Sequence, residues 1–158
     1  MTTPAMLQET PQAPTARGME AARVDHLGIA VADLDASLGF YRTMLGVEPA
    51  LHRLESQGIA VAMFQLANLR IELLAPIGAE SPITDVLEEH TIQAFIERHP
   101  RGGLHHVCYA VSDLDAANPP GTRRLGTGVP IVGASGQPIV FLDPAGTGGV
   151  LIELKQAA

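Results

Sequence analysis

Apolar side chains occupy every second position from Leu27 to Val31, and His26 begins the alternate set, a pattern that predicts a half-buried β-strand. The apolar spacing then changes to that of a helix, with Asp33 suited to the N-cap and Gly46 suited to the C-terminal end. Three strand-like runs follow, at residues 50–55, 59–67 and 69–75. This part of the chain therefore predicts the order βαβββ.

A second copy of the same unit begins 80 residues later. The segment from Asp25 to Ser37 matches the segment from His105 to Ala117 at seven of thirteen positions. A further echo links Ile71-Glu72-Leu73 with Ile152-Glu153-Leu154 at an offset of 81. Because self-similarity at a constant offset indicates structural repetition, we expect two copies of one βαβββ module.

The second module and the connection between the modules are less regular. Its strands are predicted near residues 104–111, 123–126, 138–142 and 149–155. The segment Asn118–Gly121 contains two adjacent prolines, which disfavour a helix after the first of these strands. Between the modules, Ser81-Pro82 and Asp85 predict the start of a linker helix over residues 82–99.

Each module places one histidine on its first strand and one glutamate on its last, which gives the pairs His26 with Glu72 and His106 with Glu153. Imidazole nitrogens and carboxylate oxygens are suitable ligands for Mn, Co, Fe, Ni or Zn. All four residues lie among apolar neighbours, where a charged carboxylate is costly unless it is paired or metal-bound. The repeated pairs therefore predict one divalent metal site with an approximate twofold axis and with positions open for substrate.

Two other residues near these positions are expected to have supporting roles. His105 precedes His106 on one strand, and neighbouring strand residues point to opposite faces, so both side chains cannot enter one site. We expect His105 to support the structure or to support the metal ligands from outside. Cys108 shares the face of His106, where we expect a small buried thiol and not a ligand.

Composition and charge narrow the classes of partner. The chain has 158 residues, 46% of them hydrophobic, which is sufficient for one folded domain. Ten basic residues stand against seventeen acidic ones with no basic run, so we expect no nucleic-acid partner and no membrane-surface partner. The single cysteine, Cys108, excludes an intramolecular disulfide and is compatible with a reducing compartment. We expect a cytoplasmic protein with a small-molecule substrate.

The N-terminal segment lacks a basic start and a continuous apolar stretch, so it does not read as a targeting peptide. We expect residues 1–22 to form a flexible tail and residues 23–158 to form a single domain. Its expected parts are module one at 23–77, the linker helix at 82–99 and module two at 103–156.

Three segments carry a family resemblance together with the repeat. They are Gly102-Gly-Leu-His-His106, Ile71-Glu-Leu-Leu-Ala-Pro-Ile-Gly-Ala-Glu-Ser-Pro82 and Gly148-Gly-Val-Leu-Ile-Glu-Leu154. From about Val24 to Gln156 the chain resembles the methylmalonyl-CoA epimerase family of the vicinal oxygen chelate (glyoxalase/bleomycin resistance/dioxygenase) superfamily. The resemblance implies an α+β fold in which two βαβββ modules form a glyoxalase-like, eight-stranded, partly open cup around one divalent metal ion.

The same resemblance implies roles for the site residues. His26, His106 and Glu153 stand at the family's ligand positions, and Glu72 stands where members carry Gln or Glu. The implied reaction is epimerisation of (2R)- and (2S)-methylmalonyl-CoA, and ethylmalonyl-CoA is a further candidate substrate. A divalent ion (Co, Mn, Zn or Ni) would stabilise the enolate that forms when C2 loses its proton. Glu153 is the implied acid/base on one side, and Glu72 is the candidate on the other. The family also implies a homodimer.

The chain departs from the family pattern in its first and second modules. Val61 occupies a position where some epimerases carry a glutamate, which leaves Glu72, a bound water or another group as the second proton-transfer partner. Asp143 and Ala145 stand where His and Lys are common, which puts the contacts to CoA in question.

Two other functions fit the same fold. A glyoxalase I type lactoylglutathione lyase would use the same two histidines and two glutamates, but the Gly-Gly-Leu-His-His and Glu-Leu-Leu-Ala-Pro segments favour the epimerase. A metal-free drug-binding module would need a cleft lined with aromatic side chains that stack on the ligand. The chain has only two Tyr, four Phe and no Trp, which disfavours such a cleft.

Overall fold

The computed structural model describes residues 13–78 and 82–158, and within them one mixed sheet of eight strands curls into a half-barrel. The strands are β1 (Arg23–Ala30), β2 (Ala50–Leu54), β3 (Ile59–Gln65), β4 (Arg70–Pro76), β5 (Gly103–Val111), β6 (Ile131–Val132), β7 (Pro138–Leu142) and β8 (Ile152–Gln156). The α-helices are α1 (Leu34–Leu45), α2 (Thr84–Leu87) and α3 (Ile92–Arg98). Short 3-10 turns occupy Glu55–Gln57, Glu88–His90 and Pro144–Gly146.

The strand order is β2-β3-β4-β1-β5-β8-β7-β6. Each module contributes four neighbouring strands, and within each module the first strand pairs in parallel with the last. The two modules join through the antiparallel pair β1 and β5 at the centre of the sheet. This arrangement confirms the predicted α+β fold, with its two related halves and one eight-stranded sheet.

Helix α1 covers the outer face of module one and has the predicted ends. The Asp33 carboxylate accepts a hydrogen bond from the Ala36 amide at 3.1 Å, and Gly46 ends the helix in the left-handed conformation at φ 68°. Leu38 is buried against an apolar layer that includes Phe64 and Leu73. Strand and helix patterning in this module therefore agree with the structure.

Module two departs from the expected pattern on its outer face. The strand predicted at 123–126 is wrong, because Arg124 makes only an isolated bridge to Leu142 and the short edge strand is β6. Gly126 and Gly128 adopt positive φ angles of 59° and 72°, which end the extended backbone there. The segment 112–122 forms turns and no helix, as the paired prolines predict.

The linker helix expected at 82–99 is also wrong as a single element. The segment is divided into α2, a 3-10 turn and α3. At Glu88, where the 3-10 turn begins, the backbone leaves the helical region with a φ of 53°. The Glu88 carboxylate accepts hydrogen bonds from Arg123 and from the Gly126 amide, so tertiary contacts override the helical pattern. Thr91 then caps α3 through its side chain. Ser81, part of the predicted start, lies outside the described residues.

The described part of the N-terminal segment packs on module two, in contrast to the expected flexible tail. Gly18 is buried, and its carbonyl accepts hydrogen bonds from the Ser112 hydroxyl at 3.0 Å and the Asp113 amide at 3.4 Å. Met19 contacts the outer apolar cluster of the module. Residues 1–12 of the expected tail lie outside the described residues.

None of the helices in the described residues is long and apolar enough to cross a membrane.

Candidate metal centre and active site

The repeated histidines and glutamates meet at the centre of the cup. His26 lies on β1, His106 on β5, Glu72 on β4 and Glu153 on β8. Because the strand order runs β4-β1-β5-β8, the two glutamates flank the two histidines. All four residues are at most 5% exposed. The structure therefore brings together every residue of the predicted ligand set.

The donor atoms lie within a small volume. The Nε2 atoms of His26 and His106 are 3.3 Å apart. Glu72 Oε2 lies 3.3 Å from the His26 nitrogen and 3.5 Å from the His106 nitrogen, and Glu153 Oε2 lies 3.9 Å and 3.2 Å from the same two atoms. Ligand atoms bound about 2.1 Å from one metal ion lie roughly 3.0 to 3.4 Å apart at octahedral or tetrahedral angles. The spacing of the His26, Glu72 and His106 atoms therefore fits a shared divalent cation. Glu153 Oε2 has a suitable distance to His106 and a longer one to His26.

The pKa values of Glu72 and of the two histidines depend on their neighbours in the site. Burial raises the pKa of Glu72, but hydrogen bonds from His106 and His26 outweigh it and hold that pKa well below its usual range. Burial likewise opposes charge on His106, but Glu153 and Glu72 raise its pKa to about 9. The pKa of His26 rises to about 12 against the same burial cost, largely through its hydrogen bond to Asp25. In the metal-free site, protons on the two imidazoles thus supply positive charge opposite the carboxylates, and a divalent ion can supply that charge instead.

His105 fixes the orientation of the His106 ring. Burial and the neighbouring charge of His106 lower the pKa of His105 to about 3, so His105 is neutral. Its Nε2–H donates to the carbonyl of His90 at 2.6 Å, since a carbonyl oxygen only accepts. The His105 Nδ1 atom therefore accepts from Nδ1–H of His106 at 2.9 Å, which turns Nε2 of His106 toward the site. The supporting role agrees with the expectation for His105, but the expectation that His105 and His106 cannot both enter one site is wrong. Both line the same pocket, because His105 is an extra residue in β5 between Leu104, which pairs with Ile29, and His106, which pairs with Gly28.

Gly28 and Cys108 are small residues that sequence reasoning left without a part in the site. Gly28 faces His106 across the β1–β5 pair, and Cys108 faces His26. A Cβ atom on Gly28 would lie 2.1 Å from the His106 ring, so only glycine leaves room for that imidazole. The sequence does contain a signal for their position, because each residue follows the histidine of its module by two positions and so lies on the same face of the strand. Cys108 is buried and free, as expected, and burial raises the pKa of its thiol to about 12.

Apolar walls enclose the pocket above the four ligands. They come from both modules, from the linker and from the loop after β6, and include Leu54, Ile59, Leu74, Ile83, Leu87, Ile92, Ala134, Ile139 and Phe141. Val61 is fully buried beside this wall in a cluster with Ile59 and Leu74. Position 61 carries no carboxylate, and among the described residues the acidic side chains that line the pocket are Glu72 and Glu153.

The fold and this site define a protein class. A family model described as the Glyoxalase/Bleomycin resistance protein/Dioxygenase superfamily matches residues 25–119, and the chain belongs to this superfamily. An ethylmalonyl-CoA/methylmalonyl-CoA epimerase of Cereibacter sphaeroides is 42% identical over 139 residues, which cover 85% of this chain and 97% of the relative. The human mitochondrial methylmalonyl-CoA epimerase is 37% identical over 140 residues, covering 85% of this chain and 74% of the relative. Within the superfamily, the chain is a member of the methylmalonyl-CoA epimerase family.

Solved structures lead to the same assignment. The methylmalonyl-CoA epimerase of Mycobacterium tuberculosis superposes with a TM-score of 0.71 at 32% identity, covering 85% of this chain and 87% of the other. A Streptomyces coelicolor methylmalonyl-CoA epimerase variant, in complex with 2-nitronate-propionyl-CoA, superposes with a TM-score of 0.70 at 31% identity, covering 86% and 97%. These similarities favour the epimerase over the lyase and the binding module.

Proposed function

We propose that this chain epimerises the C2 centre of methylmalonyl-CoA and ethylmalonyl-CoA by proton abstraction and return. The observation that carries the proposal is that both glutamates, one from each module, lie within 3.2 to 3.9 Å of the Nε2 atoms of the two histidines, in a member of the epimerase family. One relative is named for both substrates and another for methylmalonyl-CoA, which supports this substrate class.

His26, Glu72, His106 and Glu153 would hold one divalent ion, with Co, Mn, Zn or Ni as the candidates. The donor set of nitrogens and carboxylate oxygens suits all of these ions, so supply in the cell decides among them. When bound, the ion supplies positive charge beside the oxygens that become negative as C2 loses its proton. The apolar walls keep water away and strengthen this interaction.

Glu153 and Glu72 are the proposed proton carriers. Both carboxylates approach the histidine nitrogens through Oε2. The second oxygen of each, Oε1, is the proposed proton-carrying atom. The two glutamates come from strands on opposite sides of the histidine pair. In one direction ionised Glu153 takes the C2 proton from one face, and Glu72, which must be in its protonated form at that step, donates its proton to the other face and becomes ionised. In the reverse direction the two residues exchange roles, which gives inversion.

The test is exchange of the C2 proton of methylmalonyl-CoA in deuterated water, followed by NMR. The protein is stripped with a chelator and divided, and one half is reloaded with Co²⁺ or Mn²⁺. Metal-dependent exchange with both epimers appearing is the expected result. As a matched control, the exposed Glu48→Gln variant removes a carboxylate outside the cup and retains full exchange.

Two other outcomes would contradict the proposal. A metal-loaded protein that exchanges no C2 proton is not an epimerase of this substrate, and glutathione hemithioacetals would be tested next. A protein that neither binds metal nor exchanges protons fits the binding module.

We further propose that the enzyme is a cytoplasmic homodimer. The sheet ends in two edge strands, β2 and β6, and an edge strand gives a physical reason for self-association. The free thiol of Cys108 fits a reducing compartment. Light scattering after gel filtration checks the assembly, because a dimer has twice the chain mass of 16.6 kDa. A monomer at working concentration would contradict it.

A further inference from the structure

A β-bulge brings Asp25 to the same side of the sheet as His26. Val24 faces Tyr109 on β5 and His26 faces Cys108, so Asp25 is an extra residue without a partner across the pair. Adjacent strand residues normally point to opposite faces. Here the Asp25 carboxylate is 9% exposed, and its Oδ1 accepts a hydrogen bond from Nδ1–H of His26 at 2.8 Å.

Two cations hold the Asp25 carboxylate in place. The Lys155 ammonium lies 2.7 Å from Oδ2, and the Arg70 guanidinium contacts Oδ1. Lys155 follows Glu153 by two positions on β8, and Arg70 precedes Glu72 by two positions on β4. Each cation therefore comes from a strand that also carries a glutamate of the site, on the same face of that strand.

Lys155 shows how strongly this arrangement depends on Asp25. Its side chain is only 7% exposed, and a buried ammonium is costly unless it is paired. Among the described residues, Asp25 is the one acidic partner recorded for it. A chain that only needed a filled interior would place an apolar residue there, so the buried pair calls for a functional explanation.

We propose that Asp25 is a positioning residue of the metal site, which holds the His26 ring with Nδ1 protonated and Nε2 facing the metal. Lys155 and Arg70 orient the carboxylate, and the bulge in β1 places it within reach. The inference rests on the proposed function, because it assumes that His26 is a metal ligand.

The two histidine ligands then differ in their supporting partner. His26 donates to a charged carboxylate, whereas His106 donates to the neutral His105 ring. A charge-assisted hydrogen bond increases the basicity of the opposite ring nitrogen more than a neutral one does. The Nε2 atom of His26 is therefore the stronger metal ligand of the two.

The test compares Co²⁺ affinity, measured on the metal-free full chain by competition with a coloured chelator. The variant pair Asp25→Asn with Lys155→Met removes the carboxylate charge without leaving an unpaired buried ammonium. We expect the pair to bind Co²⁺ about 10 to 100 times more weakly than the native chain, the usual effect of losing such a partner. Lys155→Met alone keeps the Asp25 carboxylate and gives the matched comparison, with a smaller loss.

A spectroscopic readout separates positioning from a merely structural role. In the Zn²⁺-loaded native protein, ¹⁵N–¹H spectra of the histidines are expected to show a His26 Nδ1–H resonance shifted downfield by its carboxylate partner. The shift persists in Lys155→Met and is lost in the pair. Asp33→Ala, which removes the cap of α1 outside the pocket, lowers stability but leaves both the resonance and the affinity unchanged. Should the pair fail to fold, Asp25→Asn with Lys155→Gln, which also leaves no buried ammonium, is measured in the same way.

Each outcome decides the matter. Native affinity in the pair, or an unmoved His26 resonance, would overturn the role of Asp25 while leaving the metal site intact. A native chain that binds no divalent ion would overturn both this inference and the proposed function. The two failures are therefore distinguishable.

Discussion

The inner and outer faces of the two modules differ in how closely they repeat. On the inner face, each module presents a histidine, a small residue two positions later and a glutamate on its last strand. On the outer face, module one is covered by the twelve-residue helix α1, whereas module two is covered by turns at 112–122 and by Met19 from the N-terminal segment. The repeat persists on the inner face, where ligand atoms need defined positions. It is lost on the outer face, where apolar side chains need only to be buried.

The physical reason is that the two tasks have different tolerances. A shift of a few tenths of an ångström changes a ligand distance, and a Cβ on Gly28 would already collide with His106. Apolar cover is non-directional and depends mainly on buried area, so a helix or an irregular segment can supply it. Variants at equivalent positions of the two modules test this difference.

The largest expected effect comes from removing one proton carrier at a time. Glu153→Gln is expected to lower epimerisation by about 10² to 10⁴-fold with folding intact, because one face of C2 loses its acid/base. In deuterated water, one epimer should still exchange its C2 proton through Glu72 without converting to the other. Glu72→Gln should show the same behaviour with the opposite epimer. NMR of each pure epimer measures both rates, and unchanged interconversion in either variant would disprove the paired roles.

The second prediction concerns competition between protons and metal. The pKa values of His26 and His106 are raised above neutrality in the metal-free chain, so a bound ion must displace up to two protons. Apparent metal affinity should therefore rise with pH, by about tenfold to 100-fold per pH unit below pH 9. Chelator competition between pH 6 and pH 9 checks the slope. An affinity independent of pH would show that the imidazoles are not ligands.

The third comparison uses the two small residues. Gly28→Ala should displace the His106 ring and weaken metal binding about 10 to 100-fold, the range seen when ligand orientation is lost. Cys108→Ala adds no atoms, so we expect native metal affinity and a loss of about 1 kcal/mol in the free energy of unfolding. Metal titration and urea unfolding of both variants provide the measurement. Equal metal affinities would mean that His106 can move without cost.

The fourth comparison uses the outer covers. Leu38→Ala in α1 should lower the free energy of unfolding by about 2 to 5 kcal/mol, because Leu38 is buried in a packed layer. Met19→Ala should cost about 1 kcal/mol, since its side chain is only partly buried on module two. Urea unfolding decides between them. A larger loss for Met19 would indicate that the N-terminal segment is the more important cover.

The smallest effect is expected at two equivalent caps. Asp33 and Asp113 each accept a hydrogen bond at 3.1 Å from the amide three residues later, but only Asp33 is followed by a helix. Asp33→Ala should cost about 1 kcal/mol and Asp113→Ala about 0.5 kcal/mol, because one turn has fewer dependent hydrogen bonds than a helix. Thermal unfolding resolves the difference, and equal losses would contradict it.

The repeat was enough to predict which histidines and glutamates come together and most of the sheet. Matching histidines and glutamates predicted four residues that the structure brings together, and Asp33 and Gly46 predicted the ends of α1. These features succeed because capping and strand alternation are local rules.

The structural features that the sequence did not predict occur where contacts between residues far apart in the sequence determine the local structure. Glu88 leaves the helical conformation to reach Arg123 and Gly126, which no local pattern signals. Alternation along β1 assigns Asp25 to the face opposite His26, and the bulge that reverses this assignment depends on pairing with β5, a strand about 80 residues away. The attachment of Gly18 to module two has the same cause.

The central pairing of β1 with β5 also affects the growing polypeptide. The four strands of module one are complete at Pro76, whereas β5 begins at Gly103. During this interval of synthesis β1 can pair with β4, but its other edge has no partner, and such an edge accepts any complementary strand. The β5 strand of a neighbouring nascent chain on the same messenger is complementary, so two polypeptides made side by side can exchange halves and each still complete a cup.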